Sequence, residues 1–183
     1  PGTVLSEGID FCWESFPQYL DVLETTPRVM NIGAQVPHGE LRFYVMGERG
    51  ADHREVPTSR EVDQMGQLLE EGLRAGALGF TTSRTIKHKA ADGRPTPSLS
   101  AEDSELAGMA QAMRRAGMGV FECNSDLGPG EFLALRSFAE ISGRPFQERV
   151  LLGLCDQGIR RVVLATGYKG EMVQEYFGDG NAL

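Results

Sequence analysis

The chain has 183 residues, 40% of them hydrophobic, with a formal net charge of −8 and an isoelectric point near 4.9. That hydrophobic share can bury a core and excludes a chain disordered by composition. The acidic balance argues against a nucleic-acid-binding surface, and no apolar run approaches the ~20 residues of a membrane span.

No basic segment followed by an apolar one opens the sequence, so no signal peptide is expected. Cys12, Cys123 and Cys155 lie far apart and form no C-x-x-C pair, which suits a reduced, cytoplasmic protein with buried thiols. The sequence starts at Pro1 and ends at Leu183 just past a turn signal, as a stretch cut from something longer would.

Residues 1–28 hold the aromatic cluster Phe11, Trp13, Phe16 and Tyr19. Phe16, Tyr19, Leu20 and Leu23 fall at helical spacing, so the cluster is expected to pack into a core. Val29 to Val36 reads as a short strand that Pro37 ends. A short helix from Gly39 to Met46 and a charged loop from Glu48 to Pro57 follow. Thr58 and Glu61 make a T-x-x-E capping box, which opens a helix with the stripe Val62, Met65, Leu68, Leu69 and Leu73. Gly76 ends it. Ala77 to Thr81 is the next strand. A polar loop then runs to Leu99, and Arg94-Pro95-Thr96-Pro97 forbids helix within it. Ser100 with Asp103 starts a helix with the stripe Leu106, Met109, Ala110 and Met113, stopped by Gly117. Gly119 to Asn124 is a strand and Gly128-Pro129-Gly130 a turn. Glu131 to Ile141 is a helix with Phe132, Leu135, Phe138 and Ala139 on one side, stopped by Gly143.

Strand and helix alternate, which implies a parallel sheet covered by helices, open or closed into a barrel. In such folds chemistry sits in the loops after the strands' C-terminal ends. The loop after the second strand gathers Thr81, Thr82, Ser83, Arg84, Thr85, Lys87 and His88. A solvated polar loop would also read this way. The alternation breaks after Gly143-Arg144-Pro145. A second helix, Phe146 to Asp156, stands where a strand is due. A strand from Arg161 to Thr166 and a helix from Gly170 to Phe177 come after it. A domain boundary belongs at 143–145.

Catalytic motifs are sparse. The histidines are His38, His53 and His88, each in an expected loop, with no H-x-H or H-E-x-x-H among them. There is no G-x-S-x-G, and Ser83 has no local base in sequence. No dinucleotide fingerprint occurs, and Gly167-Tyr168-Lys169-Gly170 is not a Walker loop.

Longer runs carry a resemblance. They are Ala34-Gln35-Val36-Pro37-His38-Gly39-Glu40-Leu41-Arg42, Val45-Met46-Gly47-Glu48-Arg49 and Gly76-Ala77-Leu78-Gly79-Phe80-Thr81-Thr82-Ser83-Arg84-Thr85. His88, Asp92 to Ser98 and Val120 to Asp126 continue them. Through these, residues 8–145 resemble the metal-dependent amidohydrolase superfamily, in its N-acyl-D-amino-acid deacylase-like branch. The resemblance implies a (β/α)₈ barrel that hydrolyses a C–N amide bond of a small molecule, with zinc polarising the carbonyl and activating water. This chain would hold a middle portion of that barrel. The early H-x-H strand and the late strand with a catalytic aspartate are missing from it. Deacylases carry a histidine ligand after the strand that aligns with Val120 and Phe121, and here that position is Asn124. The departure implies that zinc, expected for the family, is not held by this chain. The resemblance leaves His38, Ser83, Arg84 and His88 as substrate-binding or supporting candidates at the active-site end. His38, Arg84 and His88 are expected on one side of the sheet, since all follow parallel strands.

Gly143-Arg144-Pro145-Phe146, Gly158 to Glu171 and Tyr176-Phe177-Gly178-Asp179-Gly180 resemble the second βα unit of a sugar-phosphate nucleotidyltransferase. Its G-G-x-G-T-R phosphate loop is absent. The expected organisation is a partial (β/α) barrel over 1–145 joined to a Rossmann-like αβα piece over 146–183. The leading function is that of an amidohydrolase fragment, inactive alone. The alternatives are nucleotidyl transfer to a sugar phosphate or a non-catalytic chimera. The strand Val162-Val163-Leu164-Ala165-Thr166, apolar on both faces, is expected to add to the open sheet edge.

Overall fold

Local start and stop signals set most of the helices. In a computed structural model that describes residues 11–29, 31–90, 92–126 and 128–143, α1 spans Phe16–Thr25. Ser15 caps it, its hydroxyl accepting from the Gln18 N–H while Gln18 Oε1 accepts from the Ser15 N–H. β1 is Val36–Pro37, α2 is His38–Met46, and a 3₁₀ turn covers Gly47–Ala51. α3 is Ser59–Ala75 and carries the expected capping box: Thr58 N–H donates to Glu61 Oε2 at 2.7 Å, and Glu61 N–H to Thr58 Oγ1 at 3.3 Å. Gly76 closes it at φ +118°, a left-handed position that only glycine adopts without strain. β2 (Gly79–Arg84), α4 (Asp103–Ala116), β3 (Val120–Ser125) and α5 (Glu131–Ser142) follow.

The strands form a parallel sheet in the order β1-β2-β3. Val36, Phe80 and Phe121 are in register across it and face the helices. They meet Met65, Leu69 and Leu73 of α3 and Leu106, Met109 and Met113 of α4 in one buried core. Phe138 of α5 stacks on Phe121 with centroids 3.7 Å apart and lies parallel to Phe80 at 6.0 Å. Gly79 permits the β2–β3 contact, because a Cβ there would stand 1.9 Å from the Val120 carbonyl oxygen. The fold is therefore mixed α/β with parallel strands under helices. No described helix is long and apolar enough to cross a membrane.

Several expectations need correction. The first strand is short: Val29 and Ile32 are exposed, and pairing begins where the Leu78 N–H donates to the Ala34 carbonyl. Pro37 both ends β1 and caps α2, so His38 opens a helix rather than sitting in a loop. β2 runs three residues further than the apolar run suggests, because β3 pairs with it as far as Arg84↔Ser125. Ser83 and Arg84 thus lie on the strand, not in the loop after it. Ser100 does not cap α4; Glu102 precedes the helix without a side-chain cap, and Ser100 Oγ pairs with His53 Nδ1 at 2.8 Å. The aromatic cluster is a satellite, not core. Trp13 packs at a tilt between Phe11 and Tyr19, no α1 residue is buried, and only Phe16 among the four packs against the core. On α5 the buried face is Ala134 and Phe138 backed by Leu135 and Ile141, with Phe132 and Ala139 half-buried. Cys12 is exposed rather than buried. The boundary beyond Gly143, the helix 146–156, the strand 161–166, the helix 170–177 and Cys155 lie outside the described residues.

Candidate functional site

A charged network lies under the C-terminal end of the sheet. His38 is the first residue of α2, and its ring sits against Phe80. Its Nδ1 is 2.9 Å from Thr82 Oγ1 and its Nε2 is 2.9 Å from Glu105 Oε1. Arg42, one turn further along α2, donates through Nη1 to both Glu105 oxygens at 2.7 and 2.5 Å. Its Nη2 donates to the Glu55 carbonyl at 2.5 Å. His38, Arg42 and Glu105 side chains are wholly buried. A neutral His38 with its proton on Nε2 satisfies every partner: Nε2–H donates to the carboxylate and Nδ1 accepts from the Thr82 hydroxyl. Burial pushes the Glu105 carboxyl upward, but the hydrogen bonds from His38 and Arg42 and the Arg42 charge outweigh it and hold the group below its ordinary value. The network ties α2, β2, α4 and the 52–55 turn together. Both His38 ring nitrogens are engaged, so this residue positions β2 and offers substrate nothing directly.

Above it, at the C-terminal ends of the strands, opens a cleft of about 800 Å³. Ser83 and Asn124 line it side by side, as register partners on β2 and β3, and His88 closes one flank. Ser83 Oγ is 2.8 Å from His88 Nδ1. The imidazole beside Ser83 lies five residues downstream, folded back by the loop. β1 stops short of this level, and Ser98 takes its place. Its hydroxyl donates to the Ser83 carbonyl at 2.9 Å and accepts from the Ser83 N–H at 3.3 Å. Asp126 anchors the loop, accepting from Thr85 Oγ1 at 2.6 Å and from the Ile86 N–H at 2.8 Å.

The structure brings His38, Ser83 and His88 to one cleft and leaves Arg84 out of its lining. Arg84 Nε donates to Glu131 Oε1 at 2.5 Å and Nη1 to the Ala101 carbonyl, so it clamps β2 to the start of α5. Glu105, Arg42, Ser98 and Asp126 are not singled out by a sequence reading built on motifs. One signal was present: Glu105 shares a helix face with Met109 and Ala112, where a solvated glutamate has no place. Nearby, burial above all, with the Glu131 carboxylate, pushes the half-buried Cys123 thiol up to about 12.

A zinc centre needs three or more converging ligands. Among the described residues no such group of His, Cys, Asp and Glu forms. His53 is turned to Ser100, both His38 nitrogens are taken, and the cleft presents the Asn124 carboxamide. The described residues do not fit the metal.

No protein-family model matches the chain. D-aminoacylase of Alcaligenes xylosoxydans xylosoxydans is 37% identical over 82 residues, which is 45% of this chain and 16% of that protein. Crystallographic D-aminoacylase, described as defining a subset of amidohydrolases, superposes with a TM-score of 0.55 at 26% identity, over 72% of this chain and 26% of its own. Part of this chain is homologous to a segment of D-aminoacylase. N-acyl-D-glutamate deacylase of the same organism is 30% identical over 99 residues, 54% of this chain and 18% of that enzyme. D-aminoacylase itself is described with a binuclear metal centre, and a single-substitution variant of it in complex with copper chloride. A 44-residue stretch, 24% of this chain, is 43% identical to D-glycero-alpha-D-manno-heptose 1-phosphate guanylyltransferase of Aneurinibacillus thermoaerophilus, covering 19% of it. The chain spans under a fifth of the length of these curated relatives.

Proposed function

We propose that residues 1–145 are a middle segment of a D-aminoacylase-like (β/α) barrel. Its parent activity is metal-assisted hydrolysis of the C–N amide bond in N-acyl-D-amino acids or related amides. The observation that carries this reading is the placement of the cleft. It opens at the C-terminal ends of parallel strands, in a chain that superposes on D-aminoacylase over 72% of its length. In this reading the parent barrel's zinc is held by strands outside this segment. This segment supplies a wall on which Ser83, His88 and Asn124 offer hydrogen bonds to an acyl-amino acid. The buried Glu105 network and Ser98 hold that wall in place. The chain alone binds the substrate class and does not turn it over.

A second piece over 146–183, nucleotidyltransferase-like in origin, is supported by the short match to the guanylyltransferase. Titration calorimetry of the full chain separates the two readings. Binding of N-acetyl-D-amino acids, with none of a nucleoside triphosphate or sugar 1-phosphate, is the expected result. The reverse preference overturns the amidohydrolase assignment. With added zinc, release of free amino acid should stay at the uncatalysed rate; zinc-dependent turnover would show that the segment is catalytically complete.

A further inference from the structure

The cleft holds a second kind of chemistry. Ser83 and His88 form a hydroxyl–imidazole pair at 2.8 Å, within the reach a base needs to accept a nucleophile's proton. The pair is built, not incidental. Ser98, itself buried, fixes the Ser83 backbone through both its N–H and its carbonyl. Asp126 fixes the loop that carries His88 by taking the Thr85 hydroxyl and the Ile86 N–H. The same carboxylate is held below its ordinary value, first by those two hydrogen bonds and then by the charges of Lys87 and His88. Asn124 completes the set. As the register partner of Ser83 it projects from the same face of the sheet into the same cleft, and its carboxamide can donate to a developing oxyanion.

We propose that Ser83 is a nucleophile, with His88 as general base and Asn124 as oxyanion donor, for metal-independent cleavage of carboxylic esters bound in this cleft. Ser83 Oγ attacks the ester carbonyl carbon as its proton passes to His88 Nδ1. The tetrahedral intermediate collapses, the bond to the alkoxy oxygen breaks, and His88 Nδ1–H protonates the departing alcohol. Water then attacks the acyl-Ser83 carbonyl, giving a proton to His88, and the carboxylic acid leaves as the proton returns to Ser83 Oγ.

The test uses the full chain stripped with a chelator. It is treated with p-nitrophenyl acetate and, separately, with a fluorophosphonate probe, and modified peptides are located by mass spectrometry. One label per chain on Ser83 is expected, with none in Ser83→Ala. His88→Gln should slow labelling about 100-fold or more, and Asn124→Ala should slow acetylation about 100-fold. All variants should keep the parent thermal unfolding midpoint within a few degrees. Label on other residues only, or an unchanged rate in His88→Gln, overturns the proposal. Should Ser83→Ala fail to fold, the His88 and Asn124 variants decide it. The result is independent of the amidohydrolase reading, which stands or falls on N-acyl-D-amino acid binding.

Discussion

Replacing Glu105 by Gln changes one atom type and removes one charge at the centre of the buried network. In the parent, Glu105 takes two hydrogen bonds from Arg42 and one from His38 with no solvent access at either charged partner. The variant leaves the Arg42 guanidinium charge buried without a counter-ion, with one amide oxygen and the Glu55 and Asp52 carbonyls as its acceptors. Its Nε already lacks a partner among the described residues. Breaking a buried ion pair at one end costs about 3–5 kcal/mol. Against a total stability of about 5–15 kcal/mol, the loss should be plain in urea titration. Adding Arg42→Met removes the orphaned charge, so the double variant should be more stable than Glu105→Gln alone, with a coupling of about 2 kcal/mol or more. Acid provides a second arm. Because the folded Glu105 carboxyl lies below its unfolded value of 4.5, its contribution is complete at neutral pH and is lost as pH falls through the folded value. Glu105→Gln should therefore show a shallower loss of stability on acidification. A Glu105→Gln chain within about 1 kcal/mol of the parent, with unchanged acid slope, would refute the reasoning.

Phe138→Ala should destabilise by about 3–5 kcal/mol in the same titration, since its fully buried ring stacks on Phe121 and Phe80. Gly79→Ala should cost about 1–3 kcal/mol or more, because its Cβ meets the Val120 carbonyl and the β2–β3 pair must part. Iodoacetamide at pH 8 should alkylate Cys12 well before Cys123, whose thiol is raised to about 12; peptide mapping reads the order.

Most of the scaffold was legible because it rests on local signals. The Thr58–Glu61 box, the glycine stops at Gly76 and Gly117, and the stripes of α3 and α4 each depend on neighbours within a turn or two. What sequence spacing missed depends on distant partners. β2 reaches Arg84 because β3 pairs that far, and no pattern within residues 77–84 reports it. His38 meets Glu105 across 67 positions, and only the tertiary fold brings the two side chains together. Ser83 meets His88 through a loop whose course is set by Asp126, just past the end of β3. The aromatic cluster at residues 11–19 misled for the opposite reason. Its spacing is helical, but the rings of Phe11, Trp13 and Tyr19 pack on one another at a tilt and line a groove instead of entering the core.

The central claim is that the cleft at the C-terminal strand ends receives an N-acyl-D-amino acid. Its most direct test is a ¹H–¹⁵N NMR titration of the full chain with N-acetyl-D-amino acids and their L-enantiomers. The account predicts saturable shifts at Ser83, His88 and Asn124, stronger for the D series, with the residues of α3 and α5 unmoved. Shifts confined to residues outside the cleft, or none at millimolar ligand, would contradict it.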